Sequence, residues 1–358
     1  ASVFLLSLLA PPAAAQDDLL NACAAVAPVA PGAPQSALDA VQPQFQFLCG
    51  QVVNAITNVQ PSVGIAFSGG AHTLGTASTI GRRLGVFPRV SVTGRFNAAL
   101  ADVPDLLDGF QATLNENGQV PAMGTVGIPV SSLQGDVAVG LFNGLSLGPA
   151  IGGFGAIDLL GSISYVPVIQ EVGLEEEIIN AGIGARVGII KQGLIMPGVS
   201  ISGLYRTMLG DVEFGSIVDG DPADFKTNLS SLSLRAGVSK GILMFDFAAG
   251  AGYDRYSSDV RLDWQLECPA SQCGGESYTL TTNAPVEGDL STAAWNVYGN
   301  VGMSLLLLNI VGEVGYQQAT DIVDLQALQD AGLPGQEPTV EDLDGGRFFA
   351  SIGLRITL

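Results

Sequence analysis

Residues 347–358 alternate in two ways at once. Phe348, Ala350, Ile352, Leu354, Ile356 and Leu358 fall on one face, and Arg347, Ser351, Gly353, Arg355 and Thr357 on the other, with Phe349 the exception. Successive side chains of a strand point to opposite faces of its sheet, so this segment calls for a sheet that is apolar on one side and wet on the other. The pattern recurs along the chain. Segments 62–68, 76–83, 89–98, 134–142, 156–166, 182–190, 198–206, 231–239, 242–255, 294–305, 308–317 and 347–358 read as about twelve strands.

The composition says what lies on the apolar side. The 358 residues are 47% hydrophobic and only 13% charged, against about 25% charged in soluble domains, and the mean hydropathy is +0.39. Yet beyond the first residues there is no uninterrupted apolar run of the ~18 that a spanning helix needs. The sequence therefore predicts an all-β fold, a transmembrane antiparallel up-and-down β-barrel, whose strands each mark their span only by weak alternation. A soluble halophilic sandwich would spread acids over its whole surface, whereas most of the strand region here is free of them.

Residues 3–10 are apolar and lead into Pro11, Pro12, Ala13, Ala14 and Ala15, so residues 1–15 read as the remnant of a secretory signal peptide cut before Gln16. Export leads to an oxidising compartment in which disulfides are expected. Cys23 and Cys49 flank the segment after the leader, and Cys268 and Cys273 enclose a polar loop. No metal is expected, because zinc at Cys268 and Cys273 would lack ligands in a chain with one His and no second Cys pair nearby. Residues 16–61 form a separate N-terminal element: a linker rich in Ala, Pro and Gly, then helical spacing at Leu38, Val41, Phe45, Leu48, Val52 and Ile56. Pro43 must sit near the first turns of such a helix or break it. The element is a periplasmic helix, a plug inside a pore or a loosely ordered leader, and the barrel is expected over residues 62–358.

Link lengths alternate. Links 99–133, 167–180, 207–226, 257–290 and 318–346 are long, whereas 84–88, 191–197, 240–241 and 306–307 are short, with 143–155 longer than its peers. Long outer loops, short inner turns and an even strand number are the pattern of a closed bacterial barrel. Most of the 34 acids fall in the long links, beside only two bases, Lys226 and Arg261. Tyr165, Tyr205, Tyr253, Trp295 and Tyr316 stand near the same strand ends, where an aromatic girdle is expected.

This register turns Arg89, Arg95, Arg186, Arg206, Arg235, Arg347 and Arg355 toward the lumen, opposite Asp136, Asp158, Asp246, Asp254 and Glu313. Such groups either set a transverse field in a pore or pair and fill it. No catalytic residue is assigned. The only His, His72, lies beside Ser68 with no acid to orient it. The net charge of −20 argues against nucleic acid.

With its signal remnant, alternating strands, loop asymmetry and terminal strand, the region 62–358 resembles Gram-negative outer-membrane β-barrel proteins of the porin kind. Those proteins commonly end in an aromatic residue, and here the last residues are Arg355, Ile356, Thr357 and Leu358. An element ahead of the barrel is also similar to the fatty-acid channel group, without a motif that matches. The resemblance implies a place in the cell outer membrane, contact with membrane lipid and the barrel-insertion machinery, passive or gated passage or binding of a small-molecule solute, and no cofactor. A non-conducting structural or adhesive barrel is the alternative, and a barrel lipid hydrolase using Ser68 and His72 the third reading.

Overall fold

The structure is a computed structural model that describes residues 19, 21–83, 87–104, 125–146, 152–167, 177–214, 223–271, 273, 275–319 and 346–358. The signal-peptide reading, residues 1–15, and most of the acidic links lie outside the described residues. Among the described residues twelve strands are three or more residues long: β1 Val90–Pro104, β2 Thr125–Phe142, β3 Ala156–Val166, β4 Ile178–Ile190, β5 Gly198–Met208, β6 Val212–Phe214, β7 Ala223–Ile242, β8 Phe245–Cys268, β9 Tyr278–Thr282, β10 Val286–Leu305, β11 Leu308–Ala319 and β12 Arg347–Thr357. Ten of them run antiparallel around a barrel, with β6 and β9 outside it on β7 and β8. The ring closes where β12 pairs with β1, from Phe349 opposite Ala99 to Thr357 opposite Ser91. Closure leaves no open edge, the condition for strands to cross hydrocarbon.

The two faces separate as the alternation demands. Phe96, Leu133, Ile163, Ile183, Phe247, Val301, Val314 and Ile352 are exposed on the outer wall, while Asn97, Gln134, Ser164, Asn300, Ser351 and Arg355 are buried inside. An apolar patch this continuous belongs in lipid. Trp295, Tyr316 and Phe348 form a chain of rings on that wall, with centroids 6.0 and 5.3 Å apart, at the level where the apolar rows end. Among the described residues no helix is long and apolar enough to cross a membrane.

Several expected boundaries move. Residues 62–68 are the end of a helix, α1 Gln35–Ser68, and residues 76–83 are a lumen segment in which only Arg82–Arg83 pairs, with Phe87–Pro88. The expected boundary at 61/62 thus falls inside α1, and the barrel wall begins at Val90. Short alternation misled there because residues inside a barrel meet polar and apolar walls without being strands. Pro43 and Pro61 both lie inside α1, where packing of the helix outweighs the hydrogen bond each one removes. The link expected at 240–241 is at Leu243-Met244, since Gly241 stays in the ladder opposite Asp246. Leu243 and Leu306 each take φ 56° at the first position of a two-residue turn, a place usually held by Gly or Asn, so the usual signal was missing. Much of the link read at 257–290 is ladder as well, paired as far as Leu262 opposite Val286. Above Tyr253 the strands leave lipid, the apolar rows stop, and hydrogen bonding continues without them.

These tall strands support a cap. Val41, Phe45, Leu48 and Val52 of α1 bury against Leu262, Trp264, Leu280, Val286 and Leu290, and the Phe45 and Trp264 rings stack at 5.0 Å. Disulfides Cys23–Cys49 and Cys268–Cys273 staple the cap, and Pro28–Val29 adds to the edge of β9. Lower down, α1 enters the barrel. Gly64 lies against the Tyr256 ring so closely that a Cβ would collide with it. The helix stops at Gly69, whose φ of 60° suits glycine and whose amide donates to Ile65 O at 2.8 Å. Residues 69–81 continue through the lumen and leave at the opposite end, where Val90 pairs with Leu358.

Candidate functional site

The lumen is organised around the main chain of residues 68–81. Arg95 donates to Ser68 O at 2.8 Å and to Ala71 O at 2.9 Å, and Arg235 to Gly70 O at 2.5 Å. Arg355 reaches Leu74 O at 2.6 Å and Arg186 reaches Thr76 O at 3.3 Å. Two carboxylates take the amides: Glu313 accepts from Gly70 and Ala71, both at 2.8 Å, and Asp158 from Ile80 and Gly81 at 3.1 and 3.4 Å. Six charged side chains from β1, β3, β4, β7, β11 and β12 thereby satisfy an extended strip of backbone that has no ladder of its own.

The same groups balance one another. Arg95 pairs with Asp136 at 3.0 Å, Arg186 with Asp158 at 2.7 Å and Arg235 with Asp254 at 2.8 Å, all deeply buried. A buried ion pair costs desolvation of both charges, and geometry this close with further hydrogen bonds offsets it. Asp246 accepts from Ser304 Oγ at 2.7 Å and leaves the segment untouched. Arg206, also buried, meets only Ser233 Oγ at 3.4 Å among the described residues. Arg347 is buried too. Arg89 corrects the expected lumen set: it is exposed ahead of β1, because the inward alternation starts only when the strand enters the wall.

Several contributors are uncharged. Ser132 Oγ donates to Ala66 O at 2.6 Å, Asn300 accepts from Gly75 N at 3.3 Å, and Gln60 of α1 joins Ser258 and Thr292. Ser132, Ser258, Thr292 and Asn300 occupy the same inward stripe as the charges, so alternation extended to Ser, Thr and Asn would have found them, whereas Gln60 lies on the helix and carried no such signal. Ser68 and His72 do not come together. His72 Nδ1 meets Ser202 Oγ at 2.9 Å, and Ser68 contributes only its carbonyl, to Arg95. Beside His72 a cavity of about 20 Å³ lined by Arg186, Arg235 and Tyr298 remains, room for about one water.

No protein-family model and no curated protein matches the sequence. Among solved structures, the outer membrane protease OmpT of Escherichia coli aligns at 8% identity over 79% of this chain and 100% of its own, with a TM-score of 0.36. Neisserial surface protein A aligns at 11% identity over 75% and 96%, with a TM-score of 0.25. The translocator domain of the autotransporter NalP from Neisseria meningitidis aligns at 11% over 75% and 88%, with a TM-score of 0.34. By its own geometry, a closed ladder with an apolar outer wall and a polar lumen, the chain is a β-barrel of the membrane-spanning kind.

Proposed function

We propose that this barrel is closed at rest by its own N-terminal segment and serves as a surface-structural protein of the outer membrane, its capped, acidic end facing outward. One observation carries the reading: six charged side chains that would otherwise line a pore, Arg95, Asp158, Arg186, Arg235, Glu313 and Arg355, are engaged with the backbone of residues 68–81. In planar bilayers the whole protein is expected to give no steady conductance; steady ion-conducting steps from the unmodified chain would sink this reading.

Gated passage of a small solute is the second reading, favoured by one feature of the clamp. It is built of groups of both signs that stay compatible with water when the segment shifts aside, so the lumen would hydrate rather than collapse. Replacing both amide acceptors, Asp158→Asn with Glu313→Gln, is expected to produce intermittent openings under that reading and silence under the first. Neither reading assigns a catalytic role to Ser68, His72 or Ser202.

A further inference from the structure

The barrel end that carries the short links differs in chemistry from the capped end. Links 82–89, 143–155, 191–197, 243–244 and 306–307 contain Arg82, Arg83, Arg89 and Lys191 and no Asp or Glu. The nearest acids, Asp158 and Asp246, face the lumen and are held there by Arg186 and Ser304. Arg82 and Arg89 are exposed and Lys191 is half-buried.

Between these bases the turn tips are bare hydrocarbon. Leu194, Leu243 and Leu306 are 99%, 101% and 104% exposed, and Ile195, Met244 and Leu307 are exposed beside them. The tips are held in place. Lys240 Nζ donates to Gly193 O at 2.9 Å and Leu194 O at 2.7 Å, fixing one turn. The positive φ of Leu243 and Leu306 defines the other two.

The tips also continue an interface already present. On β8 the lipid-facing row of Phe247 and Phe245 runs into Leu243, and on β10 the row of Val301 and Leu305 runs into Leu306. At this end, then, the apolar band meets no polar rim; it finishes in the tips, with cations around them. A hydrocarbon surface whose fringing charged side chains are all positive is complementary to the acyl layer and anionic phosphate plane of a phospholipid leaflet. A protein partner with an apolar face would explain the tips but not their continuity with the lipid-facing wall.

We propose that the short-turn end is a lipid-docking surface. The tips at 194–195, 243–244 and 306–307 enter the acyl region of the adjoining leaflet, while Arg82, Arg89 and Lys191 hold anionic phospholipid headgroups. This goes beyond the closed-barrel reading and stands whether or not the lumen conducts.

The test uses the full chain in phosphatidylcholine vesicles with or without phosphatidylglycerol. All four native cysteines are in disulfides, so Leu306→Cys can carry an environment-sensitive fluorophore alone. Its emission is expected to be blue-shifted and quenched by acyl-brominated lipid as strongly as a label at Phe247→Cys. A label at Gly32→Cys in the cap should stay water-like. Unquenched, water-like emission at Leu306 would overturn the proposal. Lipid retained on the purified protein should be enriched severalfold in phosphatidylglycerol over the vesicle composition. The variant Arg82→Gln, Arg89→Gln, Lys191→Gln should lose that enrichment while still migrating as a folded barrel, and enrichment unchanged in this variant would equally overturn it.

Discussion

The upper and lower parts of the N-terminal segment are held by opposite physics. In the cap, α1 contributes Phe45, Leu48 and Val52 to an apolar cluster with Trp264 and Leu262. In the lumen, residues 68–81 contribute mainly peptide groups, and the wall contributes charges. Burial of apolar area is non-directional and tolerates a change of residue if volume is kept. Charge-assisted hydrogen bonds tolerate changes in the segment's side chains but not in the wall groups, because an unpaired buried charge is penalised heavily. The cap is thus specified by the segment's own residues, and the lumen segment by the wall around it.

This contrast can be broken in measurable ways. The largest effects are expected from one substitution on each side. Asp158→Ala strands Arg186 and two amides and should cost about 3–5 kcal/mol in denaturant unfolding from lipid or micelles. Trp264→Ala should cost about 3–5 kcal/mol, read as protease sensitivity of the cap with the barrel's heat-modifiable migration retained. The contrast sharpens with gentler changes: Trp264→Phe should recover much of the cap, whereas Asp158→Asn should recover little of the clamp. Next, removing the disulfide that joins Cys23 to Cys49, 26 residues apart, should lower cap stability by about 2–4 kcal/mol, measured as the unfolding difference between oxidised protein and the double Ser variant. Glu313→Gln keeps the shape but drops the charge, and about 1.5–3 kcal/mol is expected from weakening the bonds to Gly70 and Ala71.

The smallest effect concerns the tall ladder beneath the cap, outside the lipid band. Asp259 stands opposite Asp289, and its carboxyl is raised above the ordinary 3.8 by partial burial and by the hydrogen bond and charge of Asp289. A raised carboxyl pKa in the folded state means the penalty is absent below the unfolded value, grows as pH rises through the folded one, and is fully present above it. Stability of this ladder should therefore fall as pH rises through that range. Asp289→Asn should flatten the slope and add about 0.2–1 kcal/mol at neutral pH, checked by amide exchange in β8 and β10.

How legible this was depends on where each signal was generated. The wall was readable because lipid outside and polar groups inside impose a period of two on residues such as Phe348 to Leu358, and the inward Arg and Asp positions followed from it. The helix core was readable at Phe45, Leu48 and Val52, where one solvent boundary imposes a period near 3.6. What failed were places without such a boundary. Residues 69–81 touch wall on every side, so no face of the segment had to be apolar. The ladder beyond Tyr253 stands in water and against the cap, so its strands lost their apolar row while keeping their hydrogen bonds. The choice between plug and periplasmic helix was beyond the segment's own residues, because the groups that recognise it, Glu313 and Asp158, lie over 70 residues away along the chain.

The pairing of β12 with β1 makes the barrel a closed ring, and the N-terminal segment passes through it as an axle. At one end the axle widens into a disulfide-stapled cap; at the other it turns at Arg82–Arg83 and becomes the ring itself. Cutting the chain between residues 83 and 87 would therefore release no part of it. The cap would remain seated as a separate polypeptide, barred by the ring from passing toward the short-turn end and held in the other direction by its apolar contacts and the lumen hydrogen bonds alone.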